Sequence, residues 1–222
     1  MGTTITLTAA DGHSVSAWRD GPDDATRGLV VVQEIFGVNH HIRTVCARFA
    51  AQGYAVIAPA LFDRARPGSE LGYTADDIAG GRALRAQVAD AAAMADIAAA
   101  AAALGGRALG IVGYCWGGTL AWWGATRSTQ FKAACGWYGG GIAATRTETP
   151  HCPVQLHFGD QDGSIPQTDV ALIRAAQPGI EVHVYPGAGH GFGCDERASF
   201  SRADAEVAQA RTLAFFAAHL TP

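Results

Sequence analysis

Hydrophobic and polar residues alternate at the start of the chain and then give way to continuous apolar runs. Residues Thr3–Thr8 and Ser14–Arg19 alternate on either side of an Asp11-Gly12 pair, which predicts a β-hairpin. The later apolar runs predict six buried strands: Gly28–Gln33, Ala55–Ala58, Ala108–Gly113, Ala133–Trp137, Val154–Phe158 and Glu181–Tyr185. The segments between them predict helices at about His41–Gln52, Asp76–Leu104, Trp116–Arg127, Gln167–Ala176 and Ser199–Leu220.

Apolar strands that alternate with helices indicate the α/β class. Such strands form a mostly parallel sheet that is covered by helices on both faces. No repeat, linker or change of composition divides the sequence, so residues 1–222 are expected to form a single domain. Ligands of parallel sheets bind where the carboxyl ends of strands enter loops, so the chemistry is expected there.

Composition and charge exclude several classes of function. Hydrophobic residues make up 49% and charged residues 16%, enough to build a core. The net charge of −4 gives no basic surface for nucleic acid. The N-terminus lacks the features of a signal peptide, and the Ala-rich stretch 91–104, interrupted by Asp96, is too short to span a bilayer. We therefore expect a soluble cytoplasmic protein without membrane or nucleic-acid partners.

Five cysteines are present, an odd number without a CxxC pair. This argues against a disulfide framework and against a zinc site. No metal and no organic cofactor is expected. The ordinary interpretation of each cysteine is a small buried hydrophobic residue, and only Cys115 requires another.

Cys115 lies in the sequence Gly113-Tyr114-Cys115-Trp116-Gly117, between a predicted strand and a predicted helix. The G-x-C-x-G spacing is that of a nucleophile elbow with cysteine in place of serine. Such a turn requires small flanking residues and places the sulfur near a helix N-terminus, which favours thiolate. The alternatives are a buried core cysteine, a phosphate loop, which lacks its lysine, and a dinucleotide loop, which lacks G-x-G-x-x-G.

Two further strand-end loops carry an acid and a histidine. Asp160 and Asp162 follow the strand Val154–Phe158, and either carboxylate is a candidate to orient an imidazole. His190, flanked by glycines, follows the strand Glu181–Tyr185, whereas most of the other histidines have simpler interpretations. The order nucleophile, acid, histidine is that of α/β-hydrolases.

These motifs, together with Gln33-Glu34-Ile35-Phe36-Gly37-Val38-Asn39, resemble those of dienelactone hydrolase (carboxymethylenebutenolidase) over nearly the whole chain. The resemblance implies an α/β-hydrolase fold and selects Asp162 as the acid of the triad, because the G-x-x-D-x-x-x-P register falls on it. It also implies that Glu34 helps to convert the Cys115 thiol to thiolate. The oxyanion hole would then consist of the backbone N–H groups of Ile35 and Trp116.

The resemblance is weaker at the positions expected to bind substrate. Family arginines hold the substrate carboxylate, but Cys194 occupies one of their expected places. Arg197 and Arg82 are the candidates to replace them, with Arg64 and Arg66 near the second. Phe36 and Tyr138 are further candidate substrate contacts.

The resulting prediction is a cysteine hydrolase of small esters or lactones that forms a thioester acyl-enzyme, as in the degradation of aromatic compounds. A monomer is expected, with a dimer as the alternative. One rival function is a broad carboxylesterase whose apolar pocket is lined by aromatic residues (Trp116, Trp122, Trp123, Trp137 and Tyr138), although aromatic residues beside a sheet more often form core. Others are a non-catalytic binding protein and a thiol redox sensor that uses Cys194.

Overall fold

The predicted hairpin forms one edge of the sheet in the computed structural model, which describes residues 2–221. Strands β1 (Thr3–Thr8) and β2 (Ser14–Asp20) are antiparallel, with Leu7 opposite Val15. Gly12 occupies the turn at a φ of 82°, a conformation that favours glycine.

Six further strands follow the predicted pattern to within one or two residues. They are β3 (Arg27–Val32), β4 (Ala55–Pro59), β5 (Ala108–Tyr114), β6 (Ala133–Trp137), β7 (Val154–Gly159) and β8 (Glu181–Tyr185). The order in the eight-stranded sheet is β1-β2-β4-β3-β5-β6-β7-β8. The pairs β3–β4, β6–β7 and β7–β8 are parallel, and β4 to β7 are buried throughout. The α/β class and the mostly parallel sheet are therefore confirmed.

Six α-helices are present among the described residues, separated by loops and two short 3-10 helices. The α-helices are α1 (His40–Ala50), α2 (Ala75–Gln87), α3 (Asp90–Ala103), α4 (Trp116–Arg127), α5 (Gln167–Ala176) and α6 (Arg202–His219). The 3-10 helices, Leu61–Arg64 and Ala143–Thr145, were not predicted, since single turns carry no periodic signal.

The prediction of one long helix over Asp76–Leu104 is wrong. The chain leaves the helical conformation at Val88 and Ala89, and α2 and α3 meet there at 91°. Val88 is buried, and Arg85 donates a hydrogen bond to its carbonyl and pairs with Asp90 across the break. Burial of Val88 and the contacts of Arg85 thus override the high helix propensity of the surrounding alanines.

The contacts divide the described chain into two compact units, residues 2–110 and Ile111–Thr221. The first contains β1 to β4 and α1 to α3, and the second contains β6 to β8 and α4 to α6, while β5 begins in the first and ends in the second. A single domain over 1–222 stays a prediction. Within residues 2–221, no single helix is long and apolar enough to cross a membrane. The bent pair of α2 and α3 together has the length and composition of a membrane span, and these two criteria are the only ones it meets.

Asp96, which interrupts the alanine run of α3, has a structural partner. Its fully buried carboxylate binds the Arg64 guanidinium through two hydrogen bonds of 2.8 Å. Arg64 also binds Asp11 of the hairpin turn at 2.7 Å. Hydrogen bonds to Asp96 and Asp11 raise the pKa of Arg64 further above its usual value. Arg64 therefore joins three segments of the first unit.

We expect Asp96→Ala to lower the free energy of unfolding by about 3 kcal/mol, because it removes one partner of a buried ion pair. Asp90→Ala is the matched control, since its pair with Arg85 is solvent-exposed, and it should cost less than about 1 kcal/mol. Urea unfolding of both variants provides the measurement. Equal losses would show that Asp96 is no more important than a surface charge.

Candidate active site

Cys115 lies between β5 and α4 in a backbone conformation that side chains rarely adopt. Its φ is 55° and its ψ −116°, and its N–H donates to the carbonyl of Trp137 at the end of β6 over 2.9 Å. A Cβ on Gly113 would lie 1.9 Å from the carbonyl oxygen of Gly117, and one on Gly118 would lie 2.5 Å from that of Trp137. Gly113 of the predicted elbow and Gly118 at the start of α4 are therefore required by close backbone approach, and the positive φ at Cys115 costs about 1–3 kcal/mol.

His190, in the loop after β8, bridges the thiol and the acid. Its Nε2 lies 3.2 Å from Cys115 Sγ, and its Nδ1 lies 2.7 Å from Asp162 Oδ2. The His190 side chain is 20% exposed, whereas the Asp162 side chain is fully buried. The structure thus brings together the three residues that the sequence singled out.

The two aspartates of the loop after β7 have different partners. Asp162 accepts the Ser164 N–H on Oδ1 at 2.8 Å and faces His190 with Oδ2. Asp160 accepts the N–H of Gly187 at 2.7 Å. Asp162 is therefore the carboxylate that contacts the imidazole, while Asp160 holds the backbone of the loop that carries it.

The backbone around His190 is held by residues that sequence reasoning did not identify or did not place. The Ser199 hydroxyl donates to the His190 carbonyl over 2.6 Å. Gly191 has a φ of 76°, and a Cβ there would lie 2.5 Å from a guanidinium nitrogen of Arg197. Arg197 therefore packs against the residue that follows His190. No motif marks Ser199, so only the folded loop reveals its contact.

The pKa of His190 is shifted in the opposite direction to the pKa values of His157 and His183, which burial lowers. Burial lowers the pKa of His190, but the hydrogen bonds to Asp162 and Cys115 outweigh it and raise that pKa to about 10. Burial raises the pKa of the Cys135 thiol to about 12 and that of Cys152 to about 11. Of these three cysteines, only Cys115 contacts an imidazole that stays protonated near neutral pH.

Tyr138, a candidate substrate contact, follows β6 at a φ of 40°. Its N–H donates to the carbonyl of His157 over 2.8 Å, and its ring meets that of His190 edge-on with centroids 5.2 Å apart. The side chain is fully buried. A non-glycine residue strained in this way beside a reactive imidazole is typical of a functional site.

The tryptophans of the alternative pocket belong largely to the core. The indoles of Trp122 and Trp123 both donate to the Thr145 hydroxyl at 3.1 Å. Trp137 is 2% exposed and donates to the Thr212 hydroxyl at 3.2 Å. Trp116 begins α4 and is buried as well. The core interpretation of aromatic residues beside a sheet therefore holds for these rings.

The remaining predicted site residues lie in the first unit. Glu34 is fully buried directly after β3, and Gln33 donates to its carbonyl at 3.2 Å. Ile35 follows, and a Cβ on Gly81 of α2 would lie 2.1 Å from its carbonyl oxygen, so α2 approaches this turn closely. Phe36 is buried against Tyr73, with ring centroids 4.6 Å apart.

The family resemblance predicts two arginines that hold the substrate carboxylate. The residues at or near their expected positions, Arg82 and Cys194, do not form such a pair. Arg82 lies exposed on α2. Cys194, at the place of a family arginine, is fully buried. Of the two candidate arginines, only Arg197 lies in the unit that carries Cys115, Asp162 and His190.

The strand order, the elbow and the sequence of its loops define an α/β-hydrolase. The profile of the Dienelactone hydrolase family matches residues 15–220, so the chain belongs to that family. A carboxymethylenebutenolidase of Pseudomonas putida is 32% identical over 232 residues, covering 96% of this chain and 95% of the relative. A Salmonella typhimurium protein named "Putative carboxymethylenebutenolidase" is 37% identical over 235 residues, covering 96% and 86%.

A solved structure agrees with this assignment. The "Putative Dienelactone Hydrolase" of Klebsiella pneumoniae subsp. pneumoniae superposes with a TM-score of 0.80 at 34% identity. The match covers 97% of this chain and 99% of the other. The α/β-hydrolase fold is therefore confirmed, and the protein is a dienelactone hydrolase-like hydrolase.

The raised pKa of His190 predicts a pH-dependent contribution to stability. Because the folded-state pKa is about 10 and the ordinary value 6.5, the protonated ring stabilises the fold fully below pH 6.5. This contribution is lost as the pH rises towards 10. The unfolding free energy lost in His190→Gln should therefore be larger at about pH 6 than at about pH 10.

Denaturant unfolding of both proteins at the two pH values provides the measurement. His183→Gln is the control, because burial lowers the pKa of His183 and gives its contribution the opposite pH dependence. A loss in His190→Gln that does not vary with pH would contradict the pairing of His190 with Asp162 in solution.

Proposed function

We propose that the protein hydrolyses small esters or lactones through a thioester on Cys115, with His190 and Asp162 completing the triad. The observation that carries this proposal is the pair of contacts at His190, 3.2 Å to Cys115 Sγ and 2.7 Å to Asp162 Oδ2. A nucleophile bonded to a base that is oriented by an acid is the arrangement that nucleophilic catalysis requires.

The reacting form of the site is a Cys115 thiolate beside the His190 imidazolium, in keeping with the raised pKa of His190. The sulfur attacks the substrate carbonyl carbon, and the carbonyl π electrons move to oxygen. The backbone N–H of Trp116, at the positive end of α4, is a suitable donor to that oxyanion. As the tetrahedral intermediate collapses, the C–O bond to the leaving group breaks, and the His190 imidazolium returns its proton to the departing oxygen.

Deacylation uses the same residues in the reverse sense. His190, now neutral, accepts a proton from water, whose oxygen attacks the thioester carbonyl. The C–S bond then breaks, the sulfur leaves as thiolate, and the carboxylic acid product is released. The second nucleophile is water, so the reaction is a net hydrolysis that needs no cofactor. In a lactone the leaving oxygen stays attached to the product, which is then a ring-opened acid.

The family resemblance supplies the remaining roles. By this comparison Glu34 assists formation of the thiolate and the Ile35 N–H is the second oxyanion donor. Glu34 is fully buried directly after β3, and a carboxylate is chemically able to accept a thiol proton.

The substrate class is a small ester or lactone, and we propose Arg197, Arg82, Tyr138 and Phe36 as the residues that contact it. Arg197 packs beside the His190 loop, and the Tyr138 ring contacts the His190 ring.

A broad carboxylesterase acting on neutral esters is the second candidate, and the apolar side chain at Cys194 favours it. Hydrolysis of aromatic degradation products, the cytoplasmic location and the monomeric state stay predictions.

We expect Cys115→Ala to abolish hydrolysis of a dienelactone, lowering kcat by at least about 10³-fold, because the step that forms the thioester is lost. The decrease in ultraviolet absorbance of the lactone provides the measurement. Cys152→Ala is the matched control, since its thiol is also partly exposed and burial raises its pKa to about 11, and it should retain full activity. Activity retained in Cys115→Ala would contradict the mechanism.

Turnover of a neutral aryl ester, with no dienelactone hydrolysis, would identify the second candidate instead. Both outcomes require Cys115, so the comparison separates substrate class from mechanism.

We expect Glu34→Gln, which keeps shape and removes charge, to slow hydrolysis by about 10²-fold, a typical contribution of a positioned acid or base. Glu70→Gln is the control, because this glutamate is exposed and pairs with Arg43 on the surface. A Glu34→Gln enzyme with unchanged kcat and KM would remove Glu34 from the proposed mechanism.

A further inference from the structure

A buried hydrogen-bond network lies behind the His190 loop, formed by side chains of β6, β7, β8 and α6. We call it the His157 network, and it consists of Trp137, Gln155, His157, Tyr185 and Thr212. All five side chains are at most 3% exposed. None belongs to the triad, and the proposed reaction uses none of them.

The hydrogen bonds of His157 have a defined direction. Gln155 donates through Nε2 to Glu181 at 2.7 Å, so its Oε1 faces His157 Nε2 at 2.9 Å as an acceptor. His157 Nε2 therefore carries the proton, and Nδ1 accepts from the Tyr185 hydroxyl at 2.8 Å. Arg211 donates to the Tyr185 oxygen at 3.2 Å, which directs the hydroxyl proton towards His157. The network thus specifies one neutral tautomer of His157.

Thr212 of α6 connects this histidine to β6. Its hydroxyl oxygen lies 3.1 Å from His157 Nε2 and accepts the Trp137 indole N–H over 3.2 Å. Its remaining contact is Cys135 Sγ at 3.5 Å. A single hydroxyl therefore fixes the positions of the Trp137 and His157 rings relative to one another.

The rings so fixed form the surface on which the His190 loop packs. Phe192, two residues after His190, stacks on Trp137 with centroids 5.6 Å apart and contacts Tyr185 at 4.9 Å. A Cβ on Gly193 would lie 2.7 Å from the Trp137 ring. No side chain would fit between Gly193 and the Trp137 ring. A shift of the Trp137 ring must therefore also move the loop that carries His190.

The same residues hold the backbone on the other side of the site. The Trp137 carbonyl accepts the Cys115 N–H at 2.9 Å, and the His157 carbonyl accepts the Tyr138 N–H at 2.8 Å. Tyr138 in turn places its ring against His190. Trp137 and His157 thus contact, directly or through one residue, the segments that carry both reacting groups.

We propose that the His157 network is a positioning device for catalysis: it sets the distance between Cys115 and His190 through Trp137 and Phe192. This inference rests on the proposed function. Its members are positioning residues and do not touch the reacting atoms. The device resists disturbance because each of its buried polar groups would lose a partner if a ring moved.

The test uses the full chain and substitutions at Thr212. Thr212→Val removes the hydroxyl and keeps the shape, whereas Thr212→Ser keeps the hydroxyl. Thr126→Val is the matched control, since the buried Thr126 hydroxyl bonds to Glu148 at 2.6 Å and, within residues 2–221, forms no hydrogen bond to a member of the network. The readouts are kcat and KM for a small ester and the rate at which iodoacetamide alkylates Cys115.

For Thr212→Val we expect kcat and the alkylation rate to fall by about tenfold with little change in KM, because a small misplacement of reacting groups is costly. Thr212→Ser should restore both, and Thr126→Val should leave both within about twofold even at an equal loss of thermal stability. Tyr185→Phe, which removes the partner of His157 Nδ1, should lower kcat in the same way if Thr212→Val does not fold.

Unchanged kcat and alkylation in Thr212→Val or Tyr185→Phe would overturn the inference, as would an equal loss in Thr126→Val. If the unaltered protein hydrolyses esters by a route independent of Cys115, the proposed function and the inference both fail. If hydrolysis depends on Cys115 but not on Thr212, the inference alone fails.

Discussion

The hydrogen bond from the Cys115 N–H to the Trp137 carbonyl is the contact on which the arrangement of the candidate site depends. It joins the strained turn after β5 to the end of β6 and so balances part of the cost of a positive φ at a non-glycine residue. That turn is possible only because Gly113 and Gly118 leave room for neighbouring backbone. The position of the sulfur is thus determined by backbone contacts, which a substitution of side chains elsewhere on the surface does not disturb.

Charge at the site is organised around this fixed sulfur. The Asp162 carboxylate is fully buried, and such a charge is tolerated only where it is paired and bonded, here to His190 and to the Ser164 N–H. The pairing keeps the pKa of His190 well above its ordinary value. A protonated imidazole suits a cysteine that reacts as its thiolate, whereas a serine would need the same ring as a neutral base. The elbow residue and the charge state of the histidine are therefore consistent with one another.

The sequence predicted the strands well, and it marked the loops in which Cys115, Asp162 and His190 lie, because both depend on local patterns. Continuous apolar runs identify buried strands, and glycine spacing identifies the elbow. Tertiary contacts explain the failures. The break at Val88 arises from burial and from Arg85, and the choice between Asp160 and Asp162 could be made from the sequence only by comparison with a family. Ser199 carries no motif at all.

The least predictable part of the second unit is its buried polar core, and this follows from physical principles. Burying a histidine and a threonine in apolar surroundings costs free energy unless every donor finds an acceptor. Whether it does depends on residues that are far apart in sequence. His157 and Thr212 are 55 positions apart, yet their side chains lie 3.1 Å from each other. An apolar core would be easier to form, but it would not fix the orientation of Trp137 through a directional bond. Directional bonds are what distinguish a core that only stabilises from one that also positions the groups above it.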